Sequence, residues 1–241
     1  RKYPTGAGQS DGWPGPWPDP LLPTDRVDLA PGATQPVWIT VAVDKDAPAG
    51  DYRAAVRLVH DGKTLATVPF TVHVWDFALP ERPHFKAIYD VSLGPDGAKL
   101  WKKSPAQAYP EIVGTMAEHR TCPDRIQPSP TFHYRDGKAT ADFEAFDRAA
   151  AQYLDEWKLP HSYMPQLFYL FGWGFPPKDV FGEHPYPGEP PFTTADRSQL
   201  RPEYRAAYQA CLRLFWEHVK AKGWQDRFVL YISDEPFFQQ E

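Results

Sequence analysis

The period of the apolar positions changes once along the chain, near residue 80. From Pro36 onward the period is two: residues 37–43 (Val37-Trp-Ile-Thr-Val-Ala-Val43) alternate, and so do residues 52–59. Such alternation marks half-buried strands. A turn at Asp44-Lys-Asp-Ala-Pro-Ala-Gly50 separates them, His60-Asp-Gly62 is a hairpin signal, and residues 64–75 supply one or two further strands. Short strands joined by Gly/Asp turns, with no helical period, predict an all-β sandwich over 1–80. Ahead of it, Trp13-Pro-Gly-Pro-Trp-Pro-Asp-Pro20 is barred from helix and central strand by its prolines and reads as an extended entry. Pro80 to Pro83 reads as the link out of the sandwich.

Beyond Pro83 the pattern alternates between strand and helix. Residues 85–93, 121–126, 162–170 and 227–232 read as strands. Residues 105–119 and 143–157 carry apolar side chains at three-to-four spacing, and 202–222 opens on a proline and stops before Gly223, as helix ends prefer. The order β-α-β-α-β-α-β argues for a parallel sheet. Two long inserts, 127–141 and 172–200, each follow a strand and precede a helix, where barrel enzymes build their active face. Roughly 160 residues hold only four βα units, against ~250 for a full (β/α)₈ barrel. Domain 81–241 is therefore expected to be the N-terminal half of a (β/α)₈ TIM barrel in a truncated chain, in preference to an open α/β sheet.

Net charge is −5 with 24% charged residues, and no Lys/Arg cluster marks a nucleic-acid-binding face. The longest apolar stretch, around 163–175, is broken by Pro165, Gln166 and Gly172, so no segment reaches the ~20 apolar residues of a membrane span. Cys122 and Cys211 follow no metal or redox spacing and are expected to be free thiols. The chain has 9 Trp, 12 Tyr and 15 Phe, a supply of rings that suits sugar stacking as well as a large core.

The candidate chemistry lies at Phe228-Val-Leu-Tyr-Ile-Ser-Asp-Glu-Pro236, an apolar strand running into Asp234 and Glu235. Neighbours on a strand point to opposite sides. The two carboxylates would thus share a pocket without aiming at one atom, and environment could keep one protonated and the other ionised. Tyr169 and Trp173 close the third strand and are candidates to stack on a sugar or to pack under the following loop. Arg120 begins the second strand as a candidate hydroxyl or carboxylate ligand or a structural ion pair. Tyr231 shares a strand face with Glu235, as a substrate contact or as core.

Several motifs resemble glycoside hydrolase family 123 and its relatives. In the first half they are Asp19-Pro-Leu-Leu-Pro23, Gln35-Pro-Val-Trp-Ile-Thr-Val41, Ala47-Pro-Ala-Gly-Asp-Tyr52 and Val74-Trp-Asp-Phe-Ala-Leu-Pro80. In the second they are His119-Arg120, Lys222-Gly-Trp224 and Tyr231-Ile-Ser-Asp-Glu-Pro236. The resemblance implies substrate-assisted hydrolysis of a β-linked N-acetylgalactosamine in a glycan, without metal or cofactor. The residue matching Asp234 would orient the 2-acetamido group, and the one matching Glu235 would act as general acid and base. A secreted or periplasmic home is the expectation from this class. Two other readings stand beside it. One is a retaining glycosidase with Glu235 as acid/base and a separate carboxylate nucleophile in the missing half. The other is a non-catalytic carbohydrate-binding or cell-surface protein.

Overall fold

Asp61-Gly62 folds two alternating runs back on each other. β1 (Gly50–His60) and β2 (Lys63–Val74) pair antiparallel across a two-residue turn in which Asp61 and Gly62 have φ of 47° and 73°. Positive φ at both central positions is the turn whose twist suits a tight hairpin. A register shift between Leu58 and Val59 accommodates one extra residue in β2. In the computed structural model, which describes residues 24–92, 102–169, 186–187 and 198–232, this hairpin belongs to the first of two units, Arg1–Leu79 and Pro80–Glu241. Residues 37–43, read above as a strand, make no ladder here. Val37, Ile39, Val41 and Val43 are 49–64% exposed. A strand needs an edge to receive its N–H and C=O groups, and among the described residues β1 and β2 pair only with each other. The proline-rich entry over 13–20 lies outside the described residues.

The second unit alternates strand and helix. β3 (Ile88–Tyr89) is followed by α1 (Pro105–Glu118) and β4 (Cys122–Pro123). A hairpin of β5 (Thr131–Arg135) and β6 (Lys138–Asp142) comes next. Then come α2 (Glu144–Ala150), continued by a π-helical turn over Ala151–Glu156, β7 (Ser162–Tyr163), α3 (Pro202–Ala221) and β8 (Phe228–Val229). β3 pairs parallel with β4, and β7 with β8. A parallel bridge from Arg125 to Tyr163 joins the two pairs, with Tyr163 N donating to Asp124 O at 2.8 Å. The four strands therefore neighbour one another in chain order, all parallel, and each is shorter than its alternating pattern.

Local chemistry sets the helix limits. Ser104 N donates to Gln107 Oε1 just ahead of Pro105, which satisfies an orphan donor at the start of α1. α3 opens on Pro202, and Gly223, at φ 74°, follows its end. α2 was expected to run unbroken to 157. Instead its ladder widens, and Trp157 N reaches Gln152 O. The wider turn stacks Tyr153 on Trp157 at 5.3 Å. α3 buries Tyr204, Ala207, Tyr208, Cys211, Phe215 and Val219 along one stripe. Phe215 meets the rings of Phe132, Phe143, Phe146, Phe168 and Phe228. Phe132 comes from β5, so the hairpin, unforeseen as an element, supplies a core residue.

β8 is fastened through Arg227, which is 5% exposed. Its Nε donates to Pro160 O at 2.9 Å, and its Nη2 donates to Leu154 O at 2.9 Å and also to Leu159 O. One guanidinium thus satisfies the carbonyls left over where the π-helical turn ends. Both cysteines are buried and free.

Candidate active site

Parallel strands that neighbour one another bring the segments after their C-terminal ends to one rim. A cavity of about 680 Å³ opens there. Asp90, Val91 and Ser92 line it from the end of β3, and Asp124, Arg125 and Gln127 from the end of β4. Tyr163, Gln166 and Tyr169 line it from β7 and the turn beyond, and Tyr231 from just past β8. Every parallel strand contributes from the same end, the end at which α/β sheets and barrels hold their ligands.

Asp124 ties two of these ends together. It is 8% exposed; Oδ1 accepts from Val91 N at 3.2 Å and Oδ2 accepts from Arg125 Nη1 at 2.6 Å. The guanidinium lies over the Tyr163 ring, 5.9 Å from its centroid. The Arg125 backbone is held as well, because its carbonyl accepts from Tyr109 Oη at 2.6 Å. Burial, then the nearby Asp124 charge, pushes the Tyr109 hydroxyl well above its usual pKa, so it remains a donor. Arg125 Nε is buried without an acceptor among the described residues.

An aromatic wall completes the cavity. Tyr231 stacks on Tyr163 at 4.5 Å and on Tyr169 at 5.2 Å, each pair within 9° of parallel. The three rings form one column linking β7, the turn after it and the exit of β8. Such a column offers a flat apolar face beside polar groups that fix orientation, the usual make-up of a small-molecule site.

Two of the residues singled out in the sequence, Tyr169 and Tyr231, meet in this cavity. Arg120 sits at the opposite, N-terminal end of β4, at φ 60°, and its Nη2 donates to Pro80 O at 2.8 Å. It shares no wall with the tyrosines. Trp173, Asp234 and Glu235, and most of the 172–200 insert, lie outside the described residues. Tyr231 precedes Asp234 by three positions and Glu235 by four. Sequence reasoning passed over Asp90, Asp124, Arg125, Tyr163 and Gln166. Asp90 and Asp124 each fall inside a stretch read as strand, 85–93 and 121–126, and so carried no strand-end signal; the observed strands stop at Tyr89 and Pro123, which leaves both aspartates at the rim. Among the described residues no group of three or more His, Cys, Asp or Glu side chains could hold a metal ion. Among them too, no helix is long and apolar enough to cross a membrane.

Residues 130–241 match the family described as Glycoside hydrolase 123, catalytic domain. No curated protein matches this chain.

Proposed function

We propose, since residues 130–241 match the glycoside hydrolase 123 catalytic domain, that the rim cavity is the sugar site of a β-N-acetylgalactosaminidase acting by substrate assistance. The observation that carries this reading is the position of Tyr231 on the cavity wall, with Asp234 and Glu235 the third and fourth residues after it. The 2-acetamido oxygen of the substrate attacks the anomeric carbon. Asp234 orients the acetamido N–H and stabilises the positive charge of the forming oxazolinium ion. Glu235 protonates the departing glycosidic oxygen and then takes a proton from the water that opens the ring. Adjacent carboxylates suit this division of labour, because one addresses the glycosidic oxygen and its neighbour the acetamido group. The Tyr163–Tyr231–Tyr169 column would face the apolar side of the pyranose.

The same proposal extends to architecture. Four parallel strands in chain order, with α1, α2 and α3 between them, are the pattern of the first half of a (β/α)₈ barrel, and the β1–β2 hairpin is the kind of unit that builds a sandwich. A secreted or periplasmic home accords with a glycan-degrading role.

The experiment compares aryl glycosides with and without a 2-acetamido group on the full-length enzyme. Glu235→Gln should slow substrates with poor leaving groups by ~10²–10⁴, and activated aryl glycosides far less. Asp234→Asn should slow both, because it removes charge stabilisation where the oxazolinium forms. A thiazoline analogue of N-acetylgalactosamine should bind the parent much more tightly than Asp234→Asn. Indifference to the acetamido group, together with a trapped sugar–carboxylate adduct, would refute substrate assistance and point to a separate nucleophile.

A further inference from the structure

Asp124 and Arg125 stand in the cavity wall in an arrangement that a salt bridge alone does not require. A guanidinium has five N–H donors in a rigid fork, and among the described residues Arg125 donates to one acceptor, Asp124 Oδ2. The fork is locked in place: the carboxylate holds one corner, the Tyr163 ring lies beneath, and Tyr109 fixes the backbone. Asp124 is itself anchored by Val91 N, so neither partner must be ordered when a ligand arrives. Opposite charges 2.6 Å apart nearly cancel. An anionic substituent drawn to Arg125 would meet the Asp124 carboxylate beside it, whereas a hydroxyl can both accept from the guanidinium and donate to the carboxylate.

Position narrows the role further. β4 and β8 flank β7, so at a strand spacing of ~4.8 Å the pair stands about 10 Å along the rim from the strand that leads to Asp234 and Glu235. With Glu235 at the bond being cleaved, as proposed above, the pair would face the edge of a bound sugar remote from that bond. We infer that Asp124 and Arg125 together grip two neighbouring hydroxyls on that remote edge and thereby determine which sugar epimer the site accepts. This rests on the reading that the cavity holds the pyranose whose bond is cleaved.

The test measures kcat/KM of the full-length enzyme on p-nitrophenyl N-acetyl-β-galactosaminide, its 3-deoxy and 4-deoxy forms and its gluco epimer. The parent should lose about ten- to a hundredfold for each gripped hydroxyl removed, the range for hydrogen bonds to charged groups. Arg125→Met should lose about as much on the parent substrate and then scarcely distinguish it from the deoxy sugars. Asp124→Asn should blunt the same discrimination, and Arg125→Lys, which keeps the charge opposite Asp124, should restore part of it. Deoxygenation penalties that are the same in parent and variants, or absent in the parent, would overturn the inference. Absence of turnover on every glycoside would sink the catalytic reading and leave this one to a second measurement. That measurement is the affinity for N-acetylgalactosamine and its deoxy forms, followed by intrinsic fluorescence. There a hydroxyl dependence lost in Arg125→Met and partly kept in Arg125→Lys supports the pair, and a dependence that is absent in the parent or unchanged in both variants overturns it.

Discussion

Replacing Arg227 by Met tests whether a single buried guanidinium holds β8 in place. The change keeps most of the aliphatic stem and deletes the donors to the carbonyls of Leu154, Leu159 and Pro160. A buried acceptor left unpaired costs about 1–3 kcal/mol. Three of them set a ceiling, and two effects lower it. A carbonyl can recover part of its bonding by small shifts, and removing a cation whose charge burial already disfavours relieves a desolvation cost. Burial, then Arg82, draws the Arg227 pKa below its usual value, the direction that such a desolvation cost produces. A net loss of about 3 kcal/mol follows, equivalent to roughly 6–12 °C in melting temperature for a domain of this size. Arg227→Lys keeps the charge but not the fork and should fall about midway. The assay is thermal unfolding by circular dichroism at low and high salt. The drop should be nearly independent of salt, because the acceptors are neutral carbonyls rather than carboxylates. A melting temperature for Arg227→Met within about 2 °C of the parent would refute the argument.

Two further outcomes follow from buried titratable groups. His161 is 2% exposed, and neither ring nitrogen has a hydrogen-bond partner among the described residues. Burial, then Lys86 and Arg227, holds its pKa below the usual value. Its contribution to stability is therefore intact above the unfolded value of ~6.5 and is lost as pH falls through the folded value. His161→Leu should flatten the acid side of the stability–pH curve relative to the parent, and an unchanged slope would refute this. Burial raises the thiol pKa of Cys122, and raises that of Cys211 to about 11. A disulfide-exchange reagent at mildly alkaline pH should leave both thiols unlabelled in the native protein and label both in concentrated guanidinium; rapid native labelling of either would contradict the burial.

The elements that could be read from sequence are those with chemical punctuation at their ends. Pro105 and Pro202 open their helices, Gly223 follows the second, and Asp61-Gly62 turns β1 into β2. The β5–β6 hairpin carried the same signal, Asp136-Gly137 at φ 50° and 77°, inside a stretch read only as an insert. The π-helical turn could not be read, because apolar spacing across Phe143, Phe146, Ala150 and Leu154 fits a continuous α-helix. The widening depends on where Tyr153 and Trp157 find each other. At the site, Tyr169 and Tyr231 were reachable because strand ends in such folds carry function. Arg120, read at the start of the second strand as a ligand or a structural residue, lies at the N-terminal end of β4, away from the cavity. Where such a short strand stops, and so which residues stand at the rim, depends on pairing with a neighbour distant in sequence, as Arg125 with Tyr163 shows.

Phe132 gives the β5–β6 hairpin a second meaning. A segment between a strand and a helix is ordinarily where a catalytic scaffold can be lengthened, shortened or exchanged at little thermodynamic expense. Here that segment sends a ring between Phe143, Phe168 and Phe215. Deleting it would open a void in the interior, and grafting in a foreign loop would succeed only if an aromatic of similar size came back to the same place. Change in this part of the rim is thereby confined to outward positions such as His133 and Arg135. The protein can be retuned there by point substitution while the length and path of the segment stay fixed.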